Sequence, residues 1–304
     1  MSFGFELKKE LSQNFAKSES AKAAELYGML LFADSFSTDK IFLSTENENV
    51  ITVFCELLSE VFGVLPKLSL ENHPTKKNTT LYFATISDYG DIEKIRTFYK
   101  FKFNDNLRIN EYIDTVNAED MPFLICGAYL SCGNATDPEK AYHIEFVTSS
   151  DEICKDLHIL ISGFVACAKI THRKDKAIVY IKDSTEIEDL VTFMGATQCT
   201  MQIINAKILK DVRNRVNRVM NCDSANLDKT VLAAQKQIEE INFLINNIGE
   251  QSLPEHLLQL AQIRIQNPEA SLSELGLMFN PPLSRSGVNH RLKKISEIAQ
   301  KYKK

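Results

Sequence analysis

The chain has 304 residues, 44% hydrophobic and 25% charged, with a net charge of −5. That is enough for two or three domains with cores of their own, and the balance argues against wholesale disorder. No apolar run reaches the roughly 18–20 residues that a bilayer-spanning helix needs, and the charged, amphipathic start (Met1–Phe15) has neither a signal-peptide h-region nor a lipidation pattern, so a cytoplasmic protein is expected.

In chain order, a helix is expected over 23–35 (AAELYGMLLFADS) and a strand over 40–45 (KIFLST). A helix follows over 48–62, a strand from Gly63 to about 71, a strand over 79–86 and a helix from Asp88. The same order then returns: helix 120–132, strand 141–147, helix 150–162, strand from Gly163 to about 171, strand 176–182 and helix from Asp183. Gly28 and Gly127 are separated by almost the same distance as Gly63 and Gly163. Type, order and spacing predict two copies of one α/β unit packed about a pseudo-twofold axis, within an α+β domain over 1–205. The halves divide at about 105/106, with the loop between them at Asn104–Asn106.

A helical linker is expected over 206–251, ending at the break Asn246-Asn247-Ile248-Gly249. Its first part divides sharply. Ile208, Leu209, Val212, Val216, Val219 and Met220 fill one arc. Lys207, Lys210, Arg213, Arg215 and Arg218 lie on or beside the opposite arc, which suits either a second DNA-backbone contact or a helix docked on the body with its basic face in water. The next stretch, Asn221–Thr230, is polar and reads as turn-like.

The last segment, 252–304, reads as an all-α module. Ser252 and Pro254 open a helix that stops near Gln266 at Asn267-Pro268. Ser271 and Glu274 form a capping box for a short helix ending near Phe279, and Asn280-Pro281-Pro282 blocks its continuation. Ser284 caps a third helix, 285–300, in which Val288, Leu292, Ile295 and Ala299 make one buried stripe. Ser286, Asn289, His290, Lys293 and Lys294 fall on the other side, and Arg285 and Arg291 flank the stripe. These are the side chains that read base edges and hold phosphates, so a helix-turn-helix on double-stranded DNA is expected. Residues 252–304 carry a net +4, which leaves −9 on the rest: a basic module tethered to an acidic body.

The strings RNRVNR (213–218), Asn221-Cys222 through Ala225-Asn226 to Lys229-Thr230, and SRSGVNHRL (284–292) resemble the WhiA family along essentially the whole chain. The resemblance implies a bacterial regulator of sporulation or cell division. It implies a LAGLIDADG homing-endonuclease-like N-terminal domain of αββα type, and a helix-turn-helix similar to the promoter-reading domain of sigma factors. In active homing endonucleases each of two packed helices ends in an acid that holds a divalent metal. Here those positions fall on Ala33, in LYGMLLFAD (26–34), and on Cys132, in ICGAYLSCG (125–133). Asp34 comes one residue late, turned by about 100°.

Other chemistry is weak. His143 and Glu145 share a strand face, a satisfied polar pair or half a metal site. The seven cysteines lack any C-x-x-C pair and read as reduced thiols. No cofactor, metal or catalytic residue is expected. DNA is the expected partner, with another transcription regulator or RNA polymerase as further candidates. A nucleoid-associated regulator of transcription stands against two rivals, a metal-dependent homing-type endonuclease and a protein-interaction scaffold in cell division.

Overall fold

The computed structural model describes residues 2–14, 16–72, 79–101, 109, 111–249, 251 and 253–303. The chain forms two compact units, Met1–Asp211 and Val212–Lys304.

The first unit begins with α1 (Phe3–Gln13), which the sequence reading passed over; Ser2 caps it, and Phe3, Leu7 and Leu11 are its buried side. The first repeat follows as α2 (Glu19–Leu31), β1 (Ser35–Phe36), β2 (Ile41–Thr45), α3 (Glu48–Phe62), β3 (Lys67–Asn72), β4 (Thr80–Ile86) and α4 (Tyr89–Phe98). The second runs α5 (Met121–Cys132), β5 (Gly133–Ala135), β6 (Ile144–Thr148), α6 (Asp151–Ser162), β7 (Lys169–Arg173), β8 (Lys176–Ile181) and α7 (Ser184–Phe193). The sheets have matching orders, β1-β2-β4-β3 and β5-β6-β8-β7, and every pair is antiparallel.

The repeats meet where α2 and α5 cross. Both helices are buried over most of their length, as helices without a polar face must be. A Cβ on Gly28 would run into the carbonyl oxygen of Leu124, and one on Gly127 into that of Glu25. A single offset of 99 relates Gly28 to Gly127 and Glu25 to Leu124. Each contact is thus repeated with its partners exchanged, the mark of a two-fold relation. One core unites the halves, with Leu26, Tyr27 and Leu30 beside Ile125, Tyr129 and Leu130.

Several boundaries differ from the sequence reading. The helix expected over 23–35 starts earlier and ends at Leu31, so the chain can turn into β1. Gly63 and Gly163 end helices rather than start strands. Gly63 does so in the left-handed region (φ 68°), which suits a residue without Cβ. Strand β6 begins at Ile144 rather than 141. The loop placed at Asn104–Asn106 lies outside the described residues.

The largest correction concerns α8 (Thr197–Ile248), a helix of 52 residues. Glu10 caps its start, accepting from the backbone N–H groups of Gln198 (2.7 Å) and Cys199 (2.8 Å). The polar stretch Asn221–Thr230, read as turn-like, is helical throughout. It contains neither Gly nor Pro, and the lower propensity of Asn, Ser and Asp does not by itself interrupt a helix that continues on both sides. Gly249 (φ 96°) ends α8, its N–H reaching the carbonyls of Leu244 and Ile245.

The second unit holds the rest of α8 with α9 (Glu255–Gln266), α10 (Leu272–Leu277) and α11 (Arg285–Tyr302). Ile241 and Leu244, within the segment expected to be a linker, share its core with Leu257, Leu260, Leu275, Phe279, Val288, Leu292, Ile295 and Ala299.

Candidate nucleic-acid interface and the vacated acid positions

Local signals build the terminal module. Pro254 stands at the N-cap of α9 rather than inside its first turn, and Ser252 lies outside the described residues. The capping box on α10 is complete. Ser271 Oγ accepts from Glu274 N (3.3 Å) and Glu274 Oε2 from Ser271 N (2.7 Å). The chain then folds back so closely that a Cβ on Gly276 would meet the carbonyl oxygen of Leu283, while Leu283 N donates to Gly276 O (2.9 Å). Ser284 Oγ accepts from Gly287 N (3.2 Å) and opens α11.

On α11, Val288, Leu292, Ile295 and Ala299 are all buried. Arg285, Ser286, Asn289, His290, Lys293 and Lys294 are exposed. Arg291 differs from the other site residues: it is half-buried, its Nη1 donates to His256 O (3.3 Å), and its guanidinium lies over the Phe279 ring. It therefore braces α11 against α9 and the end of α10.

The five basic residues proposed as a second contact separate. Lys207 Nζ donates to Thr185 Oγ1 (2.8 Å) and pairs with Glu188, and Lys210 Nζ donates to Pro138 O (2.7 Å) above the Tyr142 ring. Arg213, Arg215 and Arg218 are exposed. The opposite arc, Ile208 to Met220, is half or more exposed at every one of its six apolar positions, so it does not dock as a buried stripe.

Sequence reasoning missed Arg264. It is 2% exposed, in the buried row Leu257, Leu260, Ala261, Arg264 of α9. That i, i+3, i+4, i+7 spacing was a readable signal. Its Nη1 donates to the carbonyls of Asn267, Pro268 and Ala270, the last at 2.7 Å, and so ties down the turn into α10.

At the helix seam, Ala33 stands two residues past the last residue of α2, and Cys132 is the last residue of α5. Asp34 points its carboxylate to the first sheet, where Oδ2 accepts from Ser44 N (2.6 Å) and Ser44 Oγ (2.8 Å). Burial pushes the Cys132 thiol up to about 12, against the opposing pull of Lys8, so it stays protonated. Lys8 Nζ donates to Leu130 O (2.9 Å), in the last turn of α5, and burial lowers its pKa to about 8. Lys8 thus places a cation beside Cys132. Among the described residues no group of three or more His, Cys, Asp and Glu could hold a metal ion.

His143 and Glu145 pair with each other, although the buried His143 Nδ1 has no hydrogen-bond partner. His143 Nε2 lies 3.1 Å from Glu145 Oε2, Arg173 reaches the same oxygen, and Asn134 donates to Oε1. Burial raises the Glu145 pKa, but these hydrogen bonds and charges outweigh it and hold the carboxyl below its usual value. All seven cysteines are free thiols. No helix among the described residues is long and apolar enough to cross a membrane.

Two α/β repeats crossing at a helix pair, followed by a helix-turn-helix, define a LAGLIDADG-like protein with a helix-turn-helix module. Family models agree: the WhiA LAGLIDADG-like domain matches residues 122–213 and the WhiA C-terminal HTH domain residues 216–299. The chain is 37% identical over 314 residues to a protein of Thermoanaerobacter pseudethanolicus named probable cell division protein WhiA, covering 100% of this chain and 98% of that one. A Clostridium beijerinckii protein of the same name is 37% identical over 317 residues, covering 99% and 98%. The crystal structure of full-length DUF199/WhiA from Thermatoga maritima superposes with a TM-score of 0.58 at 23% identity, covering 99% of both chains. The chain belongs to the WhiA family.

Proposed function

We propose that this protein is a DNA-binding transcriptional regulator acting in cell division, chromosome segregation or sporulation, on the nucleoid in the cytoplasm, without nuclease activity. One observation carries the reading: α11 hides an aliphatic stripe and presents Ser286, Asn289, His290 and Lys293 together on its exposed side. Those four lie near base edges in the major groove, and Arg285, Arg291 and Lys294 hold phosphates. The relatives named as probable cell division proteins support the biological setting. An Asn289→Ala, Lys293→Ala double variant that keeps its fold should lose about 1–3 kcal/mol of affinity for its preferred duplex per base contact removed. Unchanged affinity, read by fluorescence anisotropy, defeats the placement.

The lack of cleavage rests on Ala33, Cys132 and the engagement of Asp34 by Ser44. Supercoiled DNA incubated with the protein and Mg²⁺ should stay supercoiled. Nicking that follows the protein through purification overturns this part.

The body's acidic balance favours a protein-interaction role for the first unit, toward another transcription regulator or RNA polymerase, over a second DNA saddle.

A further inference from the structure

The second unit contains a cavity of about 400 Å³ that the DNA-reading face shares only through Arg285 and Asn289. Its walls are the later part of α8, with Lys229 and Thr230, the buried Arg264 of α9, the start of α10 with Ser273, and the first turns of α11 with Arg285 and Asn289. Three cations line it, and no carboxylate does. Neither Lys229 nor Arg285 has a hydrogen bond or ion pair among the described residues.

Arg264 is the decisive group. A guanidinium that is 2% exposed has been taken out of water almost completely. Nη1 is satisfied by three carbonyls, but Nε has no hydrogen-bond partner, and no acid among the described residues pairs with the charge. A buried charge without a counter-ion is costly, and proteins place an anion beside it. Burial does depress the Arg264 pKa, but an arginine does not shed its proton to escape that cost. Three cations lining one cavity suit a multiply charged oxyanion, with the Ser273 hydroxyl as a neutral donor.

We propose that this cavity is a phosphoryl-binding site, with Lys229, Arg264 and Arg285 supplying the positive charge. Two sources share this chemistry: a backbone phosphate of a duplex lying along α11, and a small phosphorylated molecule. Only the choice of the duplex rests on the function proposed above. The site also gives a role to Lys229-Thr230, a string singled out in the sequence but left without chemistry.

The test uses the full chain and its Lys229→Gln and Ser273→Ala variants, both at solvent-accessible side chains. One arm measures affinity for two short duplexes of unrelated sequence across a salt series. If the duplex supplies the phosphate, Lys229→Gln weakens both duplexes alike and reduces the slope of log K against log salt by about one. The other arm titrates inorganic phosphate and pyrophosphate calorimetrically at constant ionic strength. If a soluble molecule supplies it, the wild type binds pyrophosphate and both variants bind it several-fold more weakly. Either pattern upholds the site. A wild type that binds duplex, with an unchanged slope in Lys229→Gln and no heat from either anion, overturns the site and leaves the DNA reading standing. A wild type that binds no duplex defeats the DNA reading alone, and pyrophosphate binding then decides for or against the cavity.

Discussion

Cys126 and Glu25 meet across the crossing of the two central helices, with Sγ donating to Oε1 at 3.8 Å. Glu25 is 1% exposed, and burial pushes its carboxyl up to about 7, against hydrogen bonds from Cys126 and the Ala16 backbone. The folded state therefore keeps a proton that the unfolded chain loses near 4.5. Its stabilising effect is complete below that value, falls as pH rises toward 7, and is absent above. A Glu25→Gln variant, neutral at every pH, should match the wild type near pH 4 and exceed it by on the order of 3 kcal/mol near pH 8. Denaturant midpoints across this range check it, and parallel curves refute it. Lys8 acts in a separate window: its pKa is lowered from 10.5 to about 8, so it adds stability only as pH climbs through those two values.

Glycine substitutions should separate two kinds of cost. Gly127→Ala places a methyl against the Glu25 backbone, which has no flexible end to move, and should lose at least about 2 kcal/mol with the first unit loosening. Gly63→Ala meets nothing within 4 Å and suffers only its left-handed backbone, about 1 kcal/mol. Chemical denaturation should show the larger loss at 127; equal losses would mean that the helices do not cross as closely as described.

Ser271→Ala should cost about 1 kcal/mol in the terminal module, because it removes one arm of the α10 capping box. Hydrogen exchange should rise first at the amides of α10, with the first unit unaffected.

Arg291→Gln should act on the module itself as well as on DNA. Losing the bond to His256 O and the stacking on Phe279 should lower the module's stability by about 1 kcal/mol. Lys294→Gln, exposed and without such contacts, should leave the melting curve in place while reducing the salt dependence of DNA binding. Identical melting of both variants would remove the bracing role of Arg291.

Periodicity and caps made much of the molecule legible from its residues. The duplication, the α3 and α5 helices, the Ser271–Glu274 box and the α11 stripe depend on contacts a few residues apart, and spacing along the chain encodes those directly. The assignment of the acid positions to Ala33 and Cys132 came instead from the resemblance to homing endonucleases. Other features arise from groups distant in sequence. Glu10 caps a helix that starts at Thr197, Ser44 engages Asp34, and Lys8 reaches the end of α5. Arg264 lost its water, and Lys229 and Arg285 came to line one cavity, only because separate helices packed around them. Desolvation and long-range polar pairing depend on which surfaces meet, and one-dimensional spacing carries no direct record of that.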